Sequence, residues 1–209
     1  VNRDIALQKY TDTHLVLHLV SASDSMKLIR SAKKETDKLE VGISYLNLLK
    51  IDKDLEGFDS NLKVKPILRG QRDRKALIAA VVNGTVDYIS SNHVPREIEA
   101  KHLEYTYAAH GATGLETCFA AMMTNLSEKL DIETIIEKLT TGPRKIFNIP
   151  DPIIEEGEMA KLTLFDPMMK WTFARNQIKS LSQNNPFIGE EFVGKVVGTI
   201  NRSIVKLQS

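Results

Sequence analysis

Five histidines and one cysteine carry most of the metal-ligating and nucleophilic chemistry open to this chain. His14 and His18 lie in and beside the β-rich run Leu15-Val-Leu-His-Leu-Val20. Four residues of strand span roughly 13 Å, at about 3.3 Å each. Two nitrogens that must each sit about 2 Å from one zinc ion cannot come from that pair. His93 follows an apolar run in Asn92-His-Val-Pro-Arg96, where a structural hydrogen bond is favoured over a ligand contact. His102 and His110 fall in a polar loop. Cys118 sits in the apolar stretch from Leu115 to Met123 with no histidine beside it, which suits a core thiol rather than a nucleophile. Glu116 lies near the start of the same stretch and reads as a carboxylate at the positive end of a helix. The cations Lys63, Lys65, Arg69, Arg72 and Arg74 crowd one segment, and Lys65 and Arg69 with Arg96 could face an anion; a solvated basic rim is the plainer reading.

The elements that must position these residues alternate through the first two-thirds of the chain. Strand patterns fall at Leu15–Val20, Leu39–Ser44, Leu62–Leu68 and Val86–Ser91, the third shortened by Pro66. Helical patterns follow the first from Ser23, run from Arg72 to Val82 with Gly84 as a stop, and run from about Gly114 to Leu126. Strands spaced by helices predict a parallel sheet in an α/β fold: half of an eight-fold barrel, or a small open sheet. No Gly-x-Gly-x-x-Gly follows a strand, so the phosphate cradle of a dinucleotide-binding sheet is missing. Asp131 to Thr140 predicts another helix, broken by Gly142-Pro143. After a linker at Ile149-Pro-Asp-Pro152, short strands at Ala160–Phe165, Lys170–Phe173 and Val193–Ile200 predict a small β module. Asp166-Pro167 and Asn184-Asn-Pro186 are the turn signals between them. The expected division is therefore residues 1–150 and 151–209.

Composition narrows the function classes. The chain has 209 residues, 42% of them apolar, enough for one sizeable core. Its 28 Lys and Arg stand against 27 Asp and Glu, a net charge of +1 that gives no reason to expect a nucleic acid or an anionic membrane as partner. No apolar run approaches the ~18 to 20 residues that span a bilayer, and Val1-Asn-Arg-Asp is unlike a signal peptide. One cysteine excludes an internal disulfide framework. A soluble cytoplasmic protein is expected. The start at Val1 rather than Met fits a fragment or a processed chain.

Five stretches, in order, resemble the C-terminal half of a dihydroorotase of the amidohydrolase superfamily. His18-Leu-Val-Ser-Ala-Ser-Asp-Ser-Met-Lys-Leu-Ile29 is similar to the family's H-V-S-T-A-G-S-V-E-L-I. Asn61-Leu-Lys-Val-Lys-Pro-Ile-Leu-Arg69 resembles N-x-K-V-N-P-P-L-R. Gly84-Thr-Val-Asp-Tyr-Ile-Ser-Ser-Asn-His-Val-Pro95 resembles G-T-I-D-x-I-A-T-D-H-A-P. Gly111-Ala-Thr-Gly-Leu-Glu-Thr117 resembles G-x-x-G-L-E-T. Asn185-Pro-Phe-Ile-Gly189 with Gly194-Lys-Val196 resembles N-T-P-F-x-G and G-x-V. The resemblance implies a (β/α)8 TIM barrel of the amidohydrolase type, with the last four βα units present and a small β module at the C-terminus. The family's His-x-His metal motif would lie in the half not matched.

What the resemblance implies for the chemistry is mostly loss. A dihydroorotase uses zinc to make a hydroxide that attacks a cyclic amide. Leu19 stands at the family's His ligand in the first stretch. His18, one residue earlier, would point to the opposite strand face unless the strand bulges. In Ser44-Tyr-Leu-Asn-Leu-Leu49, Leu46 and Asn47 stand where the family has adjacent histidines. Asn92 replaces the catalytic Asp, and an amide is no general base. Arg96 replaces a substrate-contacting His, and Lys65 a substrate-contacting Asn, whereas Arg69 and His93 match.

These positions imply no catalytic residue, no metal ligand and no cofactor. They imply a pseudoenzyme of pyrimidine biosynthesis that partners or scaffolds aspartate transcarbamoylase. Two alternatives stand beside it, so whether the chain is an enzyme stays open. One is an active zinc-dependent dihydroorotase that needs the unmatched half. The other is a sensor that holds a small anion such as a pyrimidine carboxylate through Arg69, His93 and Arg96, with Lys65. Half a barrel also exposes two sheet edges, so preceding sequence or a homo-oligomer is expected to cover them.

Overall fold

The computed structural model describes residues 1–207. Helix α1 (Asn2–Thr11) leads into strand β1 (Leu15–Leu17), helix α2 (Ser23–Ala32), strand β2 (Leu39–Ser44) and the short helix α3 (Tyr45–Leu49). Helix α4 (Gln71–Val82), strand β3 (Tyr88–Ser90) and the short helix α5 (Ile98–Lys101) follow. Next come α6 (Cys118–Leu126), α7 (Ile132–Leu139) and α8 (Thr141–Ile146). Strands β4 (Lys161–Thr172), β5 (Glu191–Asn201) and β6 (Ile204–Leu207) close the described chain.

The expected parallel sheet forms, with three strands rather than four, in the order β1-β2-β3. Leu17 pairs with Val41, and Gly42, Ile43 and Ser44 pair with Tyr88, Ile89 and Ser90. The missing strand is Leu62–Leu68. It is a 3₁₀ turn at Ser60–Leu62 followed by irregular chain. Pro66 has no N–H to give a ladder. The alternation that suggested a strand is still a burial pattern, because Leu62, Val64 and Leu68 all enter the core. Among the described residues the outer edges of β1 and β3 pair with no other strand.

Helices cover one face of this sheet. α2 buries Met26, Ile29 and Ala32 at helical spacing, and α4 buries Leu77, Ile78 and Val81. Asp73 of α4 accepts the Ser23 N–H at 2.7 Å, so one helix caps the next. α7 starts where Asp131 accepts the Thr134 N–H at 2.7 Å. Gly142-Pro143 ends no helix alone: it lies in the first turn of α8, where a missing N–H costs nothing.

The last third is an antiparallel sheet, β4-β5-β6. The two short strands expected at Ala160–Phe165 and Lys170–Phe173 are parts of β4, interrupted by irregular register between Asp166 and Lys170. Asp166 accepts the Met168 and Met169 N–H groups there, at 2.8 and 3.1 Å. β5 lies on α6, and the Thr124 hydroxyl accepts the Val193 N–H at 2.9 Å. Phe173, Phe187 and Phe192 join the same apolar cluster as Val41, Ile43 and Ile89, so both sheets share one core. No helix among the described residues is long and apolar enough to cross a membrane.

Candidate functional site

Val41, Ile43 and Ile89 point into the shared core, while Tyr88 stands outside that cluster. Strand alternation therefore sends Gly42 and Tyr88 to the other face of the sheet. The Tyr88 ring lies over Gly42 so closely that a Cβ there would fall inside it. Tyr88 reaches past β2 to His18, with its hydroxyl 2.7 Å from Nδ1 and the two rings nearly parallel at 9°. Burial lowers the His18 pKa, and burial with the Asp87 carboxylate raises that of Tyr88. β1 ends at Leu17, and Leu19 adopts a left-handed φ of 57°, so strand alternation has already stopped at His18 and Leu19.

The positions of the expected donors follow from this backbone. Leu46 is fully buried in α3. Asn47 is buried beside it; its amide donates to the Ile67 carbonyl at 3.0 Å, and its Oδ1 has no partner. Asn92 follows β3 with a φ of 44°. Its N–H donates to the Ser90 hydroxyl at 3.0 Å, and its side-chain amide donates to the Lys65 carbonyl at 2.9 Å. Two leucines offer carbon only, and both amides spend an N–H on a backbone carbonyl. One orphan amide oxygen does not make a divalent-cation site, and three or more His, Cys, Asp or Glu gather nowhere among the described residues. The residues present do not fit zinc.

The four expected binding residues have different partners. Arg69 Nε donates to the Ser21 hydroxyl at 2.9 Å, and Arg69 lines a cleft with His18, Ser21 and Ser25. His93 Nδ1 accepts the Gly114 N–H at 3.1 Å, which leaves the ring proton on Nε2. Arg96 Nε donates to the His110 carbonyl at 2.9 Å. The exposed Lys65 lies in the same neighbourhood: after burial, the charges of Lys65, Lys63, Lys101 and Arg96 lower the His110 pKa. So Arg96 is tied to the His110 carbonyl, Arg69 turns to the β1–α2 loop, and His93 is tied to the start of the Gly114 segment.

Sequence reasoning missed three parts of this region. Lys101 is buried and donates to the carbonyls of Ala109 and Gly111, each at 2.9 Å. Nothing in its exposed-looking surroundings marks it. Asn184 is buried rather than a surface turn; its amide donates to the Val94 and Gly111 carbonyls, and its oxygen accepts the Arg96 N–H. Glu116 caps no helix of its own. It accepts the N–H groups of Lys179 and Ser180 at 2.7 and 3.0 Å, holding a distant loop. Cys118 is buried, which pushes its thiol pKa up and matches the expected core thiol.

No family model matches the chain. It is 33% identical over 211 residues to a dihydroorotase of Carboxydothermus hydrogenoformans, covering 100% of this chain and 49% of that protein. It is 36% identical over 209 residues to a dihydroorotase of Caldicellulosiruptor saccharolyticus, covering 99% and 49%. The chain thus spans about half the length of the curated relatives it matches. Its structure resembles an L-hydantoinase (dihydropyrimidinase) from Arthrobacter aurescens with a TM-score of 0.90 at 27% identity, over 99% of this chain and 49% of that one. In fold it also resembles an inactive dihydroorotase-like domain of a Chaetomium thermophilum CAD-like multifunctional protein, with a TM-score of 0.75 at 17% identity, over 97% and 53%. Near-complete coverage at this identity, with matching architecture, places these 209 residues in the dihydroorotase family of amidohydrolases.

Proposed function

We propose that this chain is a non-catalytic, dihydroorotase-like part of a pyrimidine-biosynthesis protein, acting as a scaffold or partner of aspartate transcarbamoylase. The carrying observation is Asn92. Its side-chain N–H donates to the Lys65 carbonyl, a bond that a carboxylate at this position could not make. The substitution is thus built into the local structure and is joined by Leu19, Leu46 and Asn47 at the other former ligand positions. The aspartate transcarbamoylase role carries over from the family resemblance.

In this reading the parallel strands belong to an amidohydrolase (β/α)8 barrel, with residues 1–150 as barrel and 151–209 as the β module. The open edges of β1 and β3 support it, because a closed barrel requires further parallel strands on both sides. Those strands would come from the same polypeptide or from a homo-oligomer. Zinc content and dihydroorotate turnover on the purified full-length protein test the reading. We expect no stoichiometric zinc and no turnover, together with co-purification of aspartate transcarbamoylase. One or more tightly held zinc ions per chain with turnover of dihydroorotate would overturn it.

A further inference from the structure

We propose that Asn83 is a site of self-modification: the Gly84 backbone nitrogen attacks the Asn83 side-chain amide, assisted by Thr85, and converts Asn83 to isoaspartate and aspartate. The inference concerns the turn between α4 and β3 and goes beyond the reading of the former metal site.

The reaction is an intramolecular acyl transfer with water as its co-reactant. The Gly84 nitrogen bonds to Asn83 Cγ and gives up its proton to the solvent. The Cγ–Nδ2 bond breaks, and Nδ2 leaves as ammonia. Water then opens the five-membered imide at one carbonyl or the other, which yields either Asp or isoaspartate. Three conditions favour the first step: a following residue without a Cβ, room for the backbone to turn, and an electrophilic Cγ held over the attacking peptide.

The turn meets all three. Asn83-Gly84 is the one Asn–Gly pair in the sequence. Both residues are exposed just past the end of α4. Gly84 has a φ of 74°, and a Cβ built on it would meet nothing within 4 Å, so the backbone has room to bring its nitrogen to Cγ. That nitrogen is held by one long bond, to the Val81 carbonyl at 3.2 Å. Asn83 Oδ1 accepts the Thr85 N–H at 3.1 Å and the Thr85 hydroxyl at 2.6 Å. These bonds fold the carboxamide over the peptide that must attack it. They also draw charge from Cγ and stabilise the oxygen as it turns negative in the tetrahedral intermediate, as an oxyanion hole does. Thr85 is buried, and the next N–H, of Val86, donates to the Ala80 carbonyl at 3.0 Å, so both donors are fixed. Isoaspartate adds a methylene to the main chain between α4 and β3 and a carboxylate at the negative end of the α4 dipole. Asp87 N–H binds the Val41 carbonyl at 2.9 Å just beyond, so the added length loads the start of β3.

Timed incubation of the full-length protein at neutral and alkaline pH tests this, read by peptide mapping with mass spectrometry and by enzymatic methylation of isoaspartate. We expect acid and isoaspartate to accumulate at Asn83 ahead of every other asparagine. The rate should rise with pH, because the attacking nitrogen must lose its proton. Thr85→Val keeps the side-chain shape and removes one of the two donors, so accumulation should be about three- to tenfold slower. Thr85→Ser keeps the hydroxyl and should hold the wild-type rate. In urea the unfolded wild type and Thr85→Val should react alike, which separates the contact from the Asn–Gly pair itself. Aged wild type should melt below fresh protein, and Asn83→Gln should not change on ageing. An unmodified Asn83, or folded Thr85→Val reacting as fast as wild type or faster, would overturn the proposal. Zinc content and dihydroorotate turnover are read separately, so failure here is distinct from failure of the non-catalytic reading.

Discussion

The Tyr88 ring rests on the bare Cα of Gly42, its register partner across the β2–β3 ladder. The largest side chain on this face is thus matched to the smallest residue. The pair lets Tyr88 lie flat enough to reach His18 beyond β2, so β3 is tied across β2 to the residue that follows β1. The same ring occupies the sheet face opposite the helix-covered core.

Gly42→Ala tests that match. A methyl group would enter space already filled by the ring, and overpacking of this kind costs typically about 1–3 kcal/mol. Urea unfolding should show a lower midpoint at an unchanged slope. Combining Gly42→Ala with Tyr88→Ala removes the clash, so the double variant should be more stable than the sum of the single losses predicts. Strict additivity would mean that the two residues do not touch in solution.

Asn92→Asp installs the residue type that the resemblance gives the family at this position and is expected to restore nothing. The Lys65 carbonyl would lose its donor and face a carboxylate oxygen instead; the bond is exposed to water, so its loss costs about 0.5–1.5 kcal/mol. Leu19 and Leu46 still offer no donor atoms. The variant should therefore melt earlier than wild type and show neither zinc uptake nor dihydroorotate turnover. Turnover in this single variant would show that a complete metal site needs only Asp at position 92.

The segments that bury one clean face were legible in the sequence. Leu39–Ser44 was read with the observed bounds, and the helices after Ser23 and before Gly84 differ from their patterns by a residue or two. Leu62–Leu68 was misread because alternating burial is necessary for a half-buried strand but not sufficient: Pro66 removes the ladder donor, and only the folded chain shows where the segment's backbone goes. The readings of Leu19, Leu46, Asn47 and Asn92 as former ligand positions were available from the motifs of the resemblance. The new partners of those residues were not, since Asn92 to Lys65 and Asn47 to Ile67 are contacts across loops. Glu116 was misassigned for the same reason. A carboxylate near a helix start has a local partner at hand, yet its actual partners lie more than sixty residues away, at Lys179 and Ser180.

Lys101 gives a prediction with a definite sign. Burial is the largest cause that lowers its pKa from 10.5 to about 8, while Asp59 acts in the opposite direction. Below about pH 8 the amine is charged in both the folded and the unfolded chain. Between about pH 8 and 10.5 the unfolded chain holds a proton that the folded chain has released, so folding stability rises with pH over that window. Lys101→Met removes this titration. It also removes the donor to the Ala109 carbonyl, whereas the Gly111 carbonyl keeps its bond from Asn184. An orphaned carbonyl of this kind costs about 1–3 kcal/mol. The neutral lysine amine still donates to both oxygens, so the wild type keeps that advantage at high pH. Urea unfolding across the window should therefore show the wild type gaining on Lys101→Met as pH rises. A gap that stays constant, or narrows, would mean that Lys101 is not buried among these carbonyls and titrates as a solvated lysine.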